Sequence, residues 1–460
     1  MAPVPTAPDD PAPQRPPRFS TGPPGSGMVA YLRDPLALFQ NAAKAHGDVV
    51  QVSIGPNDIF LVSRPELARE VLVTRRHNYG KPSPLGDVTP ALGLGLQTSD
   101  GYYHQRQRAL TEPAMSPTVV ERLGRGMVER AVRLCEQWQD DAVVDVHSAL
   151  LHMTFTVVGW ALFGIDVDED APQVEPALEA VLESCQRHAE PFADLRDRLP
   201  LRSTRQLTRG HDELHRFLDE RIASERHDGG ARGSILSMLL SATTAENPGS
   251  TMTDAEARDE ATIMFLAGRE TIGDVLAWTW YEVVRHTAVA TRLHAEVDSV
   301  LAGGQPTTEA LADMPYLNRV VHEGLRLYPV GWAVLRQTVA ADRLGDYSLP
   351  AGAYVLVSPW VMHRDTRFFT DPTRFDPERW PDHPAAEPAA FMPFSIGARS
   401  CVGEHLARLA LPLLLATMAQ RWTAEPIGAP VKPEPTFAVR PKGGMKMRLS
   451  RRRDQQLSNQ

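Results

Sequence analysis

The run ATIMFLAGRETIGDVLAWTWYEVVRH constrains this chain more than any other segment. It carries apolar residues at helical spacing, contains no proline, and lies in a stretch that opens after Thr253-Asp254, a suitable N-terminal cap. A helix of that length, apolar on most sides, has to be covered all round. The pattern therefore predicts a helix over 254–284 that crosses the middle of the protein. Apolar residues at helical spacing also predict helices near 117–138, 147–163, 173–189, 204–226 and 286–301, and a last one over 402–421. Strands are fewer. VVQVSI at 49–54 and IFLVS at 59–63 flank the turn signal GPND and read as a hairpin, and the irregular, proline-rich stretch from 330 to 390 holds short strands such as YVLVS. The expected class is mainly α with small β-sheets.

Bulk composition excludes several roles. With 42% hydrophobic residues over 460 positions the chain can bury a large core, and a net charge of -9 argues against whole-surface attraction to nucleic acid or anionic lipid. The three cysteines, Cys135, Cys185 and Cys401, are too few and odd in number for a disulfide framework; they fit a reducing compartment, with one thiol kept for chemistry. The N-terminus has no apolar signal core, and no apolar run approaches the ~18 residues of a membrane span, so a cytoplasmic protein without a membrane anchor is expected. Residues 1–27, rich in Pro and Gly, read as a disordered lead-in, 28–450 as a single domain without internal repeat or linker, and 451–460 as a solvated polar tail.

The segment with the most specific chemistry runs from Phe394 to Gly403 and holds Gly397, Arg399 and Cys401. An isolated cysteine in a loop is most often a buried, inert thiol. Here glycines on both sides let the backbone turn tightly and present N–H groups to the sulfur, and the helix expected just beyond brings its positive end beside it. Both features favour a sulfur anion shielded from water. Glu323 and Arg326 lie three apart on an expected helix and can pair, which alone signals only a surface ion pair. Gly268 costs a mid-helix position about 1 kcal/mol. It is explained either by close helix packing or by a local widening beside Glu270 and Thr271.

These segments together resemble the cytochrome P450 family. Phe394 to Gly403 matches the cysteine-loop pattern Phe-x-x-Gly-x-Arg-x-Cys-x-Gly at every specified position. Glu323 and Arg326 match the family's Glu-x-x-Arg helix, and Arg379, in Pro-Glu-Arg-Trp, stands where the family places a third partner. The resemblance covers about 28–450. It implies the P450 fold, with haem b (iron protoporphyrin IX) between the long central helix and the cysteine-bearing last helix. Cys401 is then the axial metal ligand, Phe394 packs on the sulfur side of the macrocycle, and Glu323, Arg326 and Arg379 form a buried structural lock. Ala267, Gly268, Glu270 and Thr271 resemble the oxygen-activation motif: Ala267 and Gly268 would border the cofactor, Thr271 would hold the activated oxygen by a hydrogen bond, and Glu270 would connect it to a proton supply. Ile272 departs from the usual hydroxyl residue. His104, Arg108, Arg336 and Arg399 are the implied partners of the haem propionates.

What the resemblance implies about function is a soluble, bacterial-type monooxygenase, inserting one oxygen atom from O2 into a C–H or C=C bond of a hydrophobic small molecule. A terpenoid, polyketide or macrolactam of secondary metabolism is the expected substrate class. Electrons would come from a ferredoxin or flavodoxin and its NAD(P)H reductase, docking on the cysteine side near His405 and Arg408; the protein is expected to work as a monomer. The pocket roof would comprise 83–97, 265–271, 332–334, Thr436 and Phe437. A peroxide-driven peroxygenase is disfavoured by the Glu270-Thr271 pair, and a non-catalytic haem protein by the oxygen-activation helix. His211 and His215 have helical zinc-site spacing but no third ligand, and read as outer-helix polar residues.

Overall fold

The computed structural model describes residues 14–23, 25–82, 88–188, 202–230, 233–244, 251–381 and 387–452. Its axis is the helix Asp254–Arg285, closed at its start by a capping box in which Thr253 and Glu256 exchange hydrogen bonds. Around it pack the helices Val146–Phe163, Arg202–His227, Pro315–Leu327 and Glu404–Arg421. Phe265 anchors the upper layer, its ring centroid 5.1 Å from Phe155 and 5.6 Å from Phe163. Lower down, Trp278 stacks on Tyr328 at 4.2 Å and donates its indole N–H to the Val439 carbonyl at 2.8 Å. This is the all-round burial that the apolar run demanded.

The main sheet has six strands in the order Arg18–Phe19, Val49–Ile54, Asn57–Val62, Tyr354–Val357, Val334–Thr338 and Tyr79–Gly80. The expected hairpin is present, with Val52 opposite Ile59. A second sheet joins Trp422–Pro426, Lys446–Arg451 and Val143–Asp145.

Four expectations need correction. The helix expected over 117–138 is two, Pro117–Glu121 and Gly124–Gln137. The glycines after the break admit close neighbours: a Cβ on Gly126 would lie 2.2 Å from the Trp160 ring. Part of the lead-in expected to be disordered over 1–27 is held in the sheet, since Arg18 and Phe19 pair with Gln51 and Val52 and Gln14 bridges to Tyr347; residues 1–13 and 24 lie outside the described residues. Of the polar tail expected over 451–460, Arg451 belongs to the last strand and Arg452 pairs with Asp298 at 2.6 Å; residues 453–460 lie outside the described residues. Finally, Val146–Phe163 is an 18-residue helix long and apolar enough for a span, but 78% of it is buried inside the fold, as a core helix would be.

Candidate active site

Cys401 follows a 3₁₀ turn at Gly397–Arg399 and precedes the helix Glu404–Arg421. Its N–H donates to the Phe394 carbonyl at 2.9 Å, which closes the loop. Gly397 is required twice over: its φ is +81°, and a Cβ there would meet the Leu72 carbonyl oxygen at 2.5 Å. The Cys401 thiol is surface-accessible yet ringed by protein, which places it in a recess. Burial raises its pKa; the Gly403 N–H opposes that rise, Glu404 adds to it and Arg108 draws the pKa down. Cys135 and Cys185, by contrast, are buried in the core, and burial pushes both to about 12.

The four expected propionate partners come together from three parts of the chain. Arg108, on the helix Gly101–Thr111, donates to the Ser400 carbonyl at 2.7 Å and to Glu112 at 2.7 Å. Arg399 reaches the Ser99 carbonyl at 2.9 Å and Asp100 at 2.6 Å. Arg336, 8% exposed, donates to the Leu335 carbonyl and forms no ion pair among the described residues. Burial, followed by the Arg399 charge, lowers its pKa to about 10. His104 sits in the same field. Burial and then the charges of Arg399, Arg108 and Lys81 hold it at about 4, so at neutral pH it offers an N–H rather than a charge.

Sequence reasoning missed Asp100, whose local signal was only a helix cap. Burial alone would raise its pKa, but the backbone N–H groups of Lys81 and Gly101 and the Arg399 guanidinium bring it to about 2. One strong carboxylate and the half-exposed Glu112 face three arginines, so the recess holds a surplus of positive charge. A ligand bringing two carboxylates to this cluster would neutralise the surplus, and haem carries two. The residues present therefore fit the cofactor.

On the central helix, Ala267, Gly268 and Thr271 are only half-buried within a stretch otherwise buried from 261 to 283, so this face borders open space. The expected widening is absent: the helix stays regular through these positions. Instead, two carbonyls take extra hydroxyl donors, Ala267 from Thr271 at 2.7 Å and Arg269 from Thr154 at 2.8 Å. Gly268 is explained by close packing, because a Cβ there would come 2.9 Å from Val158. Glu270 is buried and pairs with Arg269, which also reaches Glu179 at 2.9 Å. Burial, opposed by Arg269 and reinforced by Asp274 and Glu179, pushes the Glu270 carboxyl to about 7.

Behind this region Glu323 and Arg326 are both fully buried. Glu323 accepts from Arg326, from Arg379 at 3.0 Å, from Trp380 at 3.0 Å and from the Asp376 N–H at 2.9 Å. Trp332 donates its indole N–H to the Thr436 carbonyl at 3.3 Å, which ties two expected roof segments together; residues 83–87 of the roof lie outside the described residues. His405 is exposed, but Arg408 is not the free docking charge expected. It pairs with Glu404 at 2.8 Å and Glu387 at 2.9 Å and lies over the Phe394 ring at 5.0 Å. Among the described residues no cluster of three His, Cys, Asp or Glu side chains could hold a metal ion; the His211 and His215 rings pack edge to face.

Glu260, two turns before the half-buried face, is fully buried, and among the described residues neither carboxyl oxygen has a hydrogen-bond partner of good geometry. Burial pushes its pKa to about 8; the nearby Leu96 N–H opposes this, and Asp259 and Glu256 add to it. Since the folded value lies above the ordinary 4.5, this group loses the protein stability as pH rises between the two values. Glu260→Gln is therefore expected to melt at the wild-type temperature near about pH 4 and several degrees higher at about pH 8.5, as read in thermal unfolding across pH.

The cytochrome P450 family model matches residues 23–447. A cyclooctatin synthase of Streptomyces melanosporofaciens is 35% identical, over 92% of this chain and 94% of its own. A cyclooctat-9-en-7-ol 5-monooxygenase from the same organism is 31% identical, over 90% and 91%. A pentalenene oxygenase of Streptomyces avermitilis is 33% identical, over 92% and 94%. Among solved structures, the haem domain of cytochrome P450DA superposes with a TM-score of 0.86 at 24% identity, covering 96% of this chain and 99% of that one, which bears on the fold alone.

Proposed function

Because this chain belongs to the cytochrome P450 family and is a haem-dependent monooxygenase, we propose that it inserts one oxygen atom from O2 into a C–H or C=C bond of a hydrophobic cyclic terpenoid. The observation that carries this reading is the recess itself, where a single accessible thiol lies among arginines whose charge exceeds that of the carboxylates around them. Haem, when bound, supplies the activation of dioxygen with electrons from a redox partner. Cys401 would hold the iron through its sulfur, with the Gly403 N–H and the start of the last helix easing the negative charge. Arg108, Arg336 and Arg399 would hold the propionates, with His104 adding an N–H. Phe394, fixed under the Arg408 guanidinium, would pack against the group beside Cys401. Ala267 and Gly268 would border it from the central helix.

Thr271 now spends its hydroxyl hydrogen on the Ala267 carbonyl. Turning it toward the cleft lets it donate to the oxygen being activated. Burial, opposed by Arg269, raises the Glu270 carboxyl above the usual carboxylate range, which suits a proton donor. The substrate class is supported by the relatives at 31% and 33% identity, whose names denote an alkene alcohol and a cyclic alkene. A ferredoxin or flavodoxin is the proposed electron donor, approaching the cysteine side near exposed His405.

The test is turnover of pentalenene and related cyclic alkenes with NAD(P)H, a surrogate ferredoxin and its reductase, under isotope-labelled dioxygen. One labelled oxygen atom per product molecule is expected. Product carrying oxygen only from added hydrogen peroxide, at a rate that Thr271→Ala leaves unchanged, overturns this reading in favour of a peroxygenase.

A further inference from the structure

We propose that His147 and Asp274 form the outer stage of a proton relay that refills Glu270. The proposal rests on the monooxygenase reading of the Glu270-Thr271 region. Asp274 lies one turn beyond Glu270 on the central helix, so the two residues share a face, and Glu270 feels the Asp274 charge. His147 sits in the first turn of the helix Val146–Phe163, which packs on that face. Its Nε2 lies 2.7 Å from Asp274 Oδ1. The other oxygen, Oδ2, is buried and makes no hydrogen bond among the described residues.

A structural role accounts poorly for this arrangement. The pair buries an ionisable group with one oxygen unpartnered among the described residues, which costs about 1–3 kcal/mol with no packing gain to offset it. The neighbours also divide by what they can do. Arg269 holds Glu270 and Glu179, but a guanidinium stays protonated and cannot hand on a proton. A carboxyl and an imidazole can. The groups facing Asp274 are His147, Arg269 and Glu270, with Arg440 on the strand Val439–Pro441, itself paired with Glu434 at 3.0 Å; Glu175 and Glu179 face Arg269 from the helix Ala171–His188. Burial raises Asp274 as it does Glu270, and His147 opposes the rise.

Each transfer moves a proton and no electron. Glu270 gives its proton through the Thr271 hydroxyl to oxygen in the cleft and is left as a carboxylate. Protonated Asp274 passes the proton on Oδ2 to Glu270. His147 gives its Nε2 proton to Asp274 Oδ1 while Nδ1 takes one from solvent, and rotation of the ring and of the carboxyl restores the starting arrangement. The net change is one proton carried from solvent to the cleft.

The test uses the haem-loaded full chain, reduced by NAD(P)H through a surrogate ferredoxin and reductase without added substrate, with water and hydrogen peroxide measured as products. In Asp274→Asn the ratio of water to peroxide is expected to fall roughly tenfold, less than the roughly hundredfold or more of a donor at the reacting atoms, because Asp274 acts through Glu270. The solvent deuterium effect should rise, and the ratio should lose its dependence on pH. Away from turnover, the infrared carbonyl band of a buried carboxylic acid should lose the intensity due to Asp274. His147→Asn, at the less deeply buried end of the pair, should move the ratio in the same direction and serves if Asp274→Asn does not fold. Wild-type ratio, isotope effect and pH profile in a folded variant overturn the relay, even where the carbon monoxide complex has its normal thiolate band. Absence of that band in the wild-type protein overturns the parent reading instead.

Discussion

Cys401→Ser is expected to yield a protein that still folds and takes up haem weakly, but whose reduced carbon monoxide complex lacks the absorption band typical of thiolate ligation. Oxygen insertion should fall roughly a thousandfold or more, the scale on which removing a central catalytic group acts. The folding half of this expectation follows from the loop's construction. The Cys401 N–H bond to Phe394 and the constraints on Gly397 are backbone features that serine leaves intact. Arg108, Arg336 and Arg399 remain to hold a dicarboxylate ligand. The chemical half follows from the sulfur. Burial raises the thiol's pKa, so its anion forms through bonding to iron, helped by the Gly403 N–H; a serine hydroxyl in the same recess is a far weaker acid and a harder, poorer ligand. Absorption spectroscopy and product analysis check both halves. A thiolate-type band that survived the substitution would remove Cys401 from the iron.

The second large effect is on stability. Arg326→Met is expected to cost about 3–5 kcal/mol, the penalty for leaving a buried partner charge uncompensated. Every Arg326 N–H has an acceptor: Glu323 takes two, and the His363, Pro372 and Arg374 carbonyls take the others at 2.7, 2.7 and 3.1 Å. Methionine fills similar space but removes the donor from the His363 and Pro372 carbonyls, leaves the Arg374 carbonyl only its longer bond from Arg379, and leaves the Glu323 carboxylate with Arg379 as its cation. Glu323→Gln should cost less, because the amide oxygen keeps some of the donors. The double variant Glu323→Gln, Arg326→Met should cost less than the sum of the two, since the residues act as one network. Urea unfolding of the three variants checks the order. A loss under about 1 kcal/mol for Arg326→Met would place the pair with surface ion pairs in its energetics, against its burial.

How far the sequence reached depended on whether the relevant interaction was local. The core helix was legible because its apolar residues recur along the whole of Asp254–Arg285 and leave no polar face to put against water. The cysteine loop was legible because its constraints lie within ten successive residues: Gly397 has to turn, and Cys401 has to reach back to Phe394. Glu323 and Arg326 were legible as a pair by helical spacing, though not that Trp380 and the Asp376 N–H complete the carboxylate's partners. Of the two ion pairs of Arg408, the one with Glu404 is local helical spacing, and the one with Glu387 was missed for the same reason. Its partner Glu387 comes from another segment, and only their meeting turns a presumed docking charge into a support for Phe394.

By itself, then, the sequence determined the kind of chemistry, because a reactive sulfur needs glycines, a helix start and nearby cations at short, fixed spacing. The tertiary structure decided which charges are compensated and which are not. Asp100 meets Arg399 from 299 positions away, and His147 meets Asp274 from 127 positions away. The physical reason is that burial and long-range Coulomb pairing depend on where side chains end up in space, and no local pattern of residues records that.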